Sequence, residues 1–448
     1  MPLILTDRGE CMNYKLSRSN YRNLVVGADT KIPLHNGQLT TAINFDNAAS
    51  TPPLVSVMEE IAKFSTMYSS IHRGTGYKSQ YSSQLFEEAR SVVLKFVNAD
   101  PFQDTVIFVK NTTEAINKLS YRLWEGKKKS VILSTWMEHH SNDLPWRNKF
   151  QVDYVQTDLS GKLSLEDLES KLIKHKGNVK LVTVTGASNV TGYVNPIHKI
   201  AELAHRYRAK ILVDGAQLVP HNPVNMNPKN PLHHIDYLAF SAHKMYAPFG
   251  TGVLIGPKET FKHGISEFVG GGTAETVTHD WVVWEKPPHK EEAGSPNVMG
   301  VVALVAAIKT LTALGMHNID HYENQLTNYA NSKLQSIPGI TLYSQTAIGE
   351  PRIGVIPFNL KGIAHERVAT ILSNQAGIAV RTGCFCTQPY IQKLLSISPK
   401  QMEFYRKSAD APRPGIVRVS FGLYNDFAEI DLLTQWLERI IKHPTTYI

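Results

Sequence analysis

The chain has 448 residues, 42% hydrophobic and 19% charged, which is enough apolar material for a large core and two packed units. A net charge of +8 comes from scattered Lys and Arg rather than a stripe, so nucleic acid is not the expected partner, and a basic surface suits anionic small molecules or an acidic protein. Three cysteines (Cys11, Cys384 and Cys386) are too few for a disulfide framework, no secretory hydrophobic region comes after Met1–Glu10, and the apolar stretch Val298–Ile308 is too short to span a bilayer; a reducing, cytoplasmic setting without a membrane anchor is the expectation.

In chain order, Thr105–Val109 reads as a short apolar strand, and Asn111–Trp124 as a helix whose Asn111 and Glu114 have capping-box spacing. Lys127-Lys128-Lys129 reads as a solvated turn. Strands are expected at 130–134, 152–156, 181–185, 211–213, 237–240 and 253–255. Helices are expected at 165–174 and at 196–207, the second opening on Pro196. Strand and helix alternating in this rhythm predict an α/β fold with a mostly parallel sheet covered by helices. After Val301–Leu314 the texture changes. Gly315, a helical run from Ile319 to Ile337 and short strands near 340–343 and 353–358 predict a smaller α+β domain. The boundaries expected are 46–314 for the large domain, with 1–45 and 315–448 forming the smaller one. Ser398-Pro399 and the Ala411–Gly415 stretch read as helix breaks and loop.

In such sheets ligands sit at the carboxyl ends of strands, so the residues just after each strand carry the most information. The first strand leads into Lys110-Asn111-Thr112-Thr113-Glu114, alone a plain helix cap, in company an anion site. The second leads into Met137-Glu138-His139-His140. Adjacent histidines point different ways and no HExxH or CxxC spacing supports a metal, whereas an imidazole here can stack on a flat ring. His233-His234 has less context still and reads as surface or helix entry. Asp214 ends an apolar run and needs a cation or strong donor beside it. Lys244 comes directly after a buried strand, where desolvation depresses its pKa and makes it an amine suited to a Schiff base. An anion cradle, a ring sandwich, a carboxylate for a cationic ring nitrogen and a lysine for an aldehyde together fit pyridoxal 5'-phosphate (PLP).

With those residues placed, the chain resembles the class V PLP enzymes of aspartate-aminotransferase fold, and within them the cysteine desulfurase and selenocysteine lyase branch. The matching segments are DNAAST (46–51), HRGTG (72–76), NTTEAIN (111–117), MEHHSND (137–143), SNVTG (188–192), VDGAQ (213–217), SAHK (241–244), GGGT (270–273), EAGSPN (292–297), RTGCFCTQP (381–389) and VRVSFGLYN (417–425). The resemblance implies that Lys244 binds the cofactor covalently and shuttles protons, that Asp214 pairs with the ring nitrogen, that Gln217 donates to the ring phenolate, and that His139 stacks on the ring. It implies that Thr113, Ser241 and His243 hold the phosphate with backbone help from Thr112, and that Ser295 reaches the phosphate of the other subunit, making the protein a homodimer. Asn189 and Arg418 would bind the substrate carboxylate, with Arg381 and Arg73 lining the same mouth.

In the desulfurase branch a cysteine lies five residues after the arginine of R-x-G-H-x-C; that offset from Arg381 falls on Cys386. The implied reaction converts L-cysteine to L-alanine, the sulfur being captured as a persulfide on Cys386 for an acceptor protein. The alternatives are selenocysteine lyase, a C–S lyase on a modified cysteine, an epimerase, a transaminase, or a scaffold without turnover. Two departures stand out. Cys384 occupies the motif's histidine position, and the stretch from Cys386 to Arg418 is long enough to cover the mouth or to dock an acceptor. In an extended loop, positions two apart share a face, so Cys384 is expected near Cys386 as a helper that tunes or receives the persulfide.

Overall fold

The computed structural model describes residues 21–126, 130–158, 160–344, 350–408 and 411–444. Cys11, the Lys127–Lys129 run and the stretch before residue 21 lie outside them. Seven strands form the main sheet: β1 (Asp104–Val109), β2 (Val131–Thr135), β3 (Gln151–Val155), β4 (Val179–Thr185), β5 (Lys210–Asp214), β6 (Tyr237–Ser241) and β7 (Gly252–Pro257). Their order is β1-β7-β6-β5-β4-β2-β3. All neighbours run parallel except β7, which is antiparallel to both β1 and β6. Two reversals through β7 restore the direction, so β1 ends on the same sheet edge as β5 and β6.

The side chains explain why these runs are strands. Val106 and Phe108, Ile211 and Val213, and Leu238 and Phe240 pack on one face. Ile107, Leu212, Tyr237 and Ala239, which alternate with them, pack on the other. Both faces are covered, so the strands read as continuous apolar runs. One cover holds α1 (Val55–Ser65), α2 (Tyr77–Phe96) and, packed against both, α6 (Val298–Leu314). Between them in sequence lie α3 (Thr112–Leu123), α4 (Leu165–Lys174) and α5 (Ile197–Arg206). Helix α6 is apolar on nearly every side because it is buried on nearly every side. It stops at Gly315, whose φ of +84° suits glycine, and α7 (Met316–Gln335) leaves at a bend of 78°. No single helix among the described residues is long and apolar enough to cross a membrane.

A second, antiparallel sheet contains β8 (Ile340–Leu342), β9 (Val355–Leu360), β10 (Arg381–Gly383) and β11 (Ile416–Ser420), in the order β8-β9-β11-β10. Its core joins Phe358 and Val419 to apolar residues of α8 (His365–Ala376) and of the C-terminal helix Phe427–Lys442, and it takes in Ile43 and Phe45 from the N-terminal side. Arg22 adds a buried pair with Glu429 at 2.7 Å.

Two local expectations need correction. Ser398-Pro399 starts a helix rather than breaking one: Ser398 caps Pro399–Lys407, with Gln401 completing the capping box and Pro399 in the first turn, where its missing N–H has no cost. At Asn111 only half of a capping box forms, since the Glu114 carboxylate accepts from the Lys110 amide at 2.8 Å instead of from Asn111.

Candidate active site

At the common carboxyl edge of β1, β5 and β6 lies a cavity of about 240 Å³. Its floor is set by the strand ends. Asp214 closes β5, only 3% exposed, and accepts the Ala216 amide at 3.0 Å. Burial pushes the Asp214 carboxyl up, opposed by that amide and by the charge of Lys244. Lys244 ends the turn after β6. Burial lowers its ammonium to about 8, with Asp214 pulling the other way. Gln217 donates its amide nitrogen to the Ala48 carbonyl at 2.7 Å, and its Oε1 is buried without a partner.

One wall is the N-terminus of α3. The Thr112 amide donates to Ser241 Oγ at 2.8 Å, the Thr112 and Ser241 hydroxyls lie 2.7 Å apart, and Thr113 pairs with Ser141 at 2.7 Å. Gly252 lets β7 come this close, because a Cβ there would meet the Asn111 backbone at 2.6 Å. Hydroxyls gathered at the positive end of a twelve-residue helix are suited to a phosphate. His243 borders the cavity, and burial lowers its imidazole to about 4.

His139 forms the next wall. Its Nδ1 accepts the Ser141 amide at 3.1 Å, which leaves the ring hydrogen on Nε2. Burial first, then the charges of Lys244, His140 and Arg418, hold it down to about 3, so it presents a neutral flat face. The His140 ring diverges from it by 45°, and its Nε2 accepts the Gln388 amide at 3.3 Å. Beneath them Glu138 is buried, accepting from Thr135, Asn142 and the Thr185 amide at 2.6, 2.6 and 2.9 Å; burial nevertheless pushes its carboxyl up to about 8.

The opposite wall comes from the second sheet. Arg381 and Arg418 face each other across β10 and β11, and both reach Asp46, at 3.5 and 2.9 Å. Arg418 also donates to the Asn189 carbonyl at 2.9 Å and lies over the Phe385 ring at 4.8 Å; its Nε is buried without an acceptor. Asn189 spends its side chain on the cysteine loop, donating to the Phe385 carbonyl at 2.9 Å and accepting from Thr387 at 3.1 Å. Cys386 is exposed and lines the cavity.

The loop is not extended. Phe385 and Cys386 have φ of +49° and +54°, so the alternation rule fails, and Cys384 turns to the Pro414 carbonyl at 3.5 Å, half-buried and away from the cavity. The extended-loop premise is corrected accordingly; the two thiols nevertheless stay close enough to interact, Cys386 adding to the burial that pushes the Cys384 thiol up.

Within this one chain the structure therefore gathers Thr112, Thr113, His139, Asn189, Asp214, Gln217, Ser241, His243, Lys244, Arg381, Cys386 and Arg418 around a single cavity. It does not bring Ser295 or Arg73 there. Ser295 borders a separate hollow with Lys110 and Glu292, and Arg73 is exposed before α2. Sequence reasoning assigned no role to Asp46, Glu138 or Ser141. Asp46 had a signal, a carboxylate directly after the buried Phe45, but its partners lie more than 330 residues away.

The residues present fit PLP: a buried carboxylate, a half-buried lysine amine near enough to feel its charge, a neutral ring, and a helix-end cluster of hydroxyls. Comparison with known proteins agrees. The family described as Aminotransferase class-V matches residues 43–433. A probable cysteine desulfurase of Synechocystis sp. is 35% identical over 408 residues, spanning 89% of this chain and 91% of its own length. A cysteine desulfurase of Haloferax volcanii is 34% identical over 391 residues, spanning 85% and 89%. Among solved structures, the apo cysteine desulfurase from Thermococcus onnurineus superposes with a TM-score of 0.78 at 30% identity, over 90% of this chain and 95% of that one.

Proposed function

Because the chain belongs to the class V aminotransferase family, whose members depend on PLP, we propose that it is a cysteine desulfurase converting L-cysteine to L-alanine, with the sulfur carried off on Cys386. The observation that carries this reading is the placement of Cys386 on the same cavity as Lys244, Asp214 and Arg418. When bound, PLP supplies an electron sink that weakens the bonds of the substrate's Cα and Cβ. Everything else falls to the chain. Lys244 would hold the cofactor and, once released, move protons at Cα and Cβ. Asp214 would bind the ring N–H, His139 would cover the ring, and Gln217 has a second amide N–H to give to the ring oxygen. Thr112, Thr113, Ser241 and His243 would hold the phosphate. Arg418, with its unpartnered Nε, would orient the substrate carboxylate, with Arg381 beside it.

The Cys386 thiolate would attack the substrate sulfur. An S–S bond forms, the C–S bond breaks, and the electron pair left on carbon takes a proton, giving alanine and a persulfide on Cys386. The exposed sulfur then suits handover to an acceptor protein. A homodimer, with Ser295 turned to the partner's phosphate, and a reducing cytoplasmic setting that keeps Cys384 and Cys386 free complete the reading. Residues 46–314 would form the cofactor-binding unit, with 1–45 and 315–448 the smaller one.

The test is incubation of the PLP-loaded protein with L-cysteine and a reductant, assaying alanine and sulfide. Equal amounts of both are expected. Alanine without sulfide, or neither product, would overturn the assignment in favour of another class V reaction.

A further inference from the structure

Two arginines on one wall of the cavity share a single carboxylate. Asp46 Oδ1 accepts from Arg418 Nη2 at 2.9 Å, and its Oδ2 lies 3.5 Å from Arg381 Nη1. Among the described residues, none of the three has another ion partner. The arginines are register partners on β10 and β11, so two positive charges against one negative leave a single positive charge at this wall. Their needs differ. The Arg418 side chain is 3% exposed and would be an uncompensated buried charge without Asp46, whereas Arg381 is 55% exposed and is served by water.

The backbone sets Asp46 in place independently of the arginines. Its amide donates to Asn44 Oδ1 at 2.9 Å, its carbonyl accepts from the Ala49 amide at 3.1 Å, and it forms a parallel bridge with Ser420, two residues after Arg418. The carboxylate is thus carried at a fixed station beside the strand that bears Arg418. On that guanidinium, Nη1 is committed to the Asn189 carbonyl and Nη2 to Asp46, while Nε is buried without an acceptor. Nε and Nη2 therefore form the edge that has an N–H to spare, and a carboxylate binds such an edge through two parallel bonds. An incoming carboxylate has to draw on the nitrogen that Asp46 holds. The two anions would then lie about 4–5 Å apart, where like charges lower affinity by about tenfold or more. Arg381 offers the relief, because it already stands beside the other oxygen of Asp46.

We propose that Asp46 is a positioning residue that stands in for the substrate's carboxylate while the site is empty, and that it yields Arg418 and shifts onto Arg381 when an amino acid arrives. The inference rests on the reading of Arg418 as the carboxylate clamp, and it gives Arg381 a use that a single clamp would not need. Its consequence is moderate affinity. The apparent binding constant of every amino acid is lowered by the fraction of time that Asp46 occupies the edge, so a product carrying the same carboxylate leaves readily. An Asp46 that only supported the fold would act in the opposite sense, since its loss could only weaken binding.

The experiment is calorimetric titration of the PLP-loaded protein with L-alanine and with L-alaninamide, whose neutral amide has nearly the shape of the carboxylate. The ratio of the two dissociation constants isolates the carboxylate, because a general disturbance of the site moves both ligands together. In Asp46→Asn, which keeps an acceptor for Nη2, and in Asp46→Ser, the preference for alanine should rise by at least about tenfold, chiefly through tighter alanine binding, with bound PLP unchanged. Asp46→Glu, which keeps the charge, should stay within about threefold of the parent. A preference in the uncharged variants that stays within about threefold of the parent or falls below it, or loss of PLP from both, overturns the proposal. A parent that binds the two ligands equally would instead remove Arg418 from the carboxylate site, and this inference with it. Sulfide release from L-cysteine, measured separately, tests the reaction and leaves the role of Asp46 to the ratio.

Discussion

Arg418→Lys tests the carboxylate clamp most directly. The guanidinium works in several directions at once: to the Asn189 carbonyl and to Asp46, both at 2.9 Å, and over the Phe385 ring, with Nε buried and unspent. A bidentate carboxylate needs two N–H groups in one plane, and here it would take Nε together with a share of the nitrogen now on Asp46. Lysine keeps the charge but offers a single nitrogen, which Asp46 already attracts. The variant thus loses about one hydrogen bond between charged groups, worth about 1.5–3 kcal/mol. At 1.4 kcal/mol per factor of ten, kcat/KM for L-cysteine should fall about 10- to 100-fold. The assay is steady-state alanine production, with bound PLP measured on the same samples, since none of the groups that would hold the cofactor is altered. A kcat/KM within about twofold of the parent, at full PLP content, would refute the role of Arg418 and the reasoning from its free Nε.

The same geometry sets four further outcomes. Borohydride should fix PLP to the chain through Lys244 so that it survives denaturation, and Lys244→Ala should release all of it on unfolding. With its amine lowered to about 8, Lys244 reacts as the neutral base, so uptake of PLP by the apoprotein should speed up as pH rises toward about 8 and level off above it; a rate unchanged from about pH 6.5 to about 9 would contradict this. Cys386→Ser should bind PLP and cysteine normally yet release less than about 1% of the parent's sulfide, whereas Cys384→Ser, altering a thiol turned toward Pro414, should retain most of the activity; mass spectrometry that traps a persulfide on Cys384 alone would reverse the assignment. Sedimentation should give a dimer, and a monomer with full PLP occupancy and activity would remove Ser295 from the site.

Much of the cofactor site was legible because its residues break a rule the chain otherwise obeys. Asp214 and Lys244 are charges at the ends of strands whose other side chains are buried, and a buried charge needs a partner. The strands themselves were legible because both sheet faces are covered, which leaves unbroken apolar runs. The substrate side was less so. Asp46 is joined to Arg418 across 372 residues and to Arg381 across 335, and no local pattern carries such a pairing. The helix at Pro399–Lys407 was misread because Ser-Pro is ambiguous: the same dipeptide that breaks a helix from within starts one from its edge.

The cysteine loop shows the limit of periodicity most clearly. An Arg-Thr-Gly-Cys-Phe-Cys run has no residue after Gly383 that favours positive φ, yet Phe385 and Cys386 both adopt it. Each such residue costs about 1–3 kcal/mol, so the surroundings must hold the turn in place. They do so from three sides. Asn189 grips the Phe385 carbonyl and the Thr387 hydroxyl, the His140 amide donates to the Cys386 carbonyl at 2.7 Å, and Arg418 lies on the Phe385 ring. The left-handed turn gives the thiols different surroundings, Cys384 half-buried against the Pro414 carbonyl and Cys386 exposed on the cavity. It also ties the proposed nucleophile to the proposed clamp, because Asn189 and Arg418, which line the cavity with Cys386, are the same side chains that hold the loop. If these residues act as proposed, a substrate carboxylate that drew on either of them would loosen the grip on Phe385 and free Cys386 to move toward the substrate sulfur.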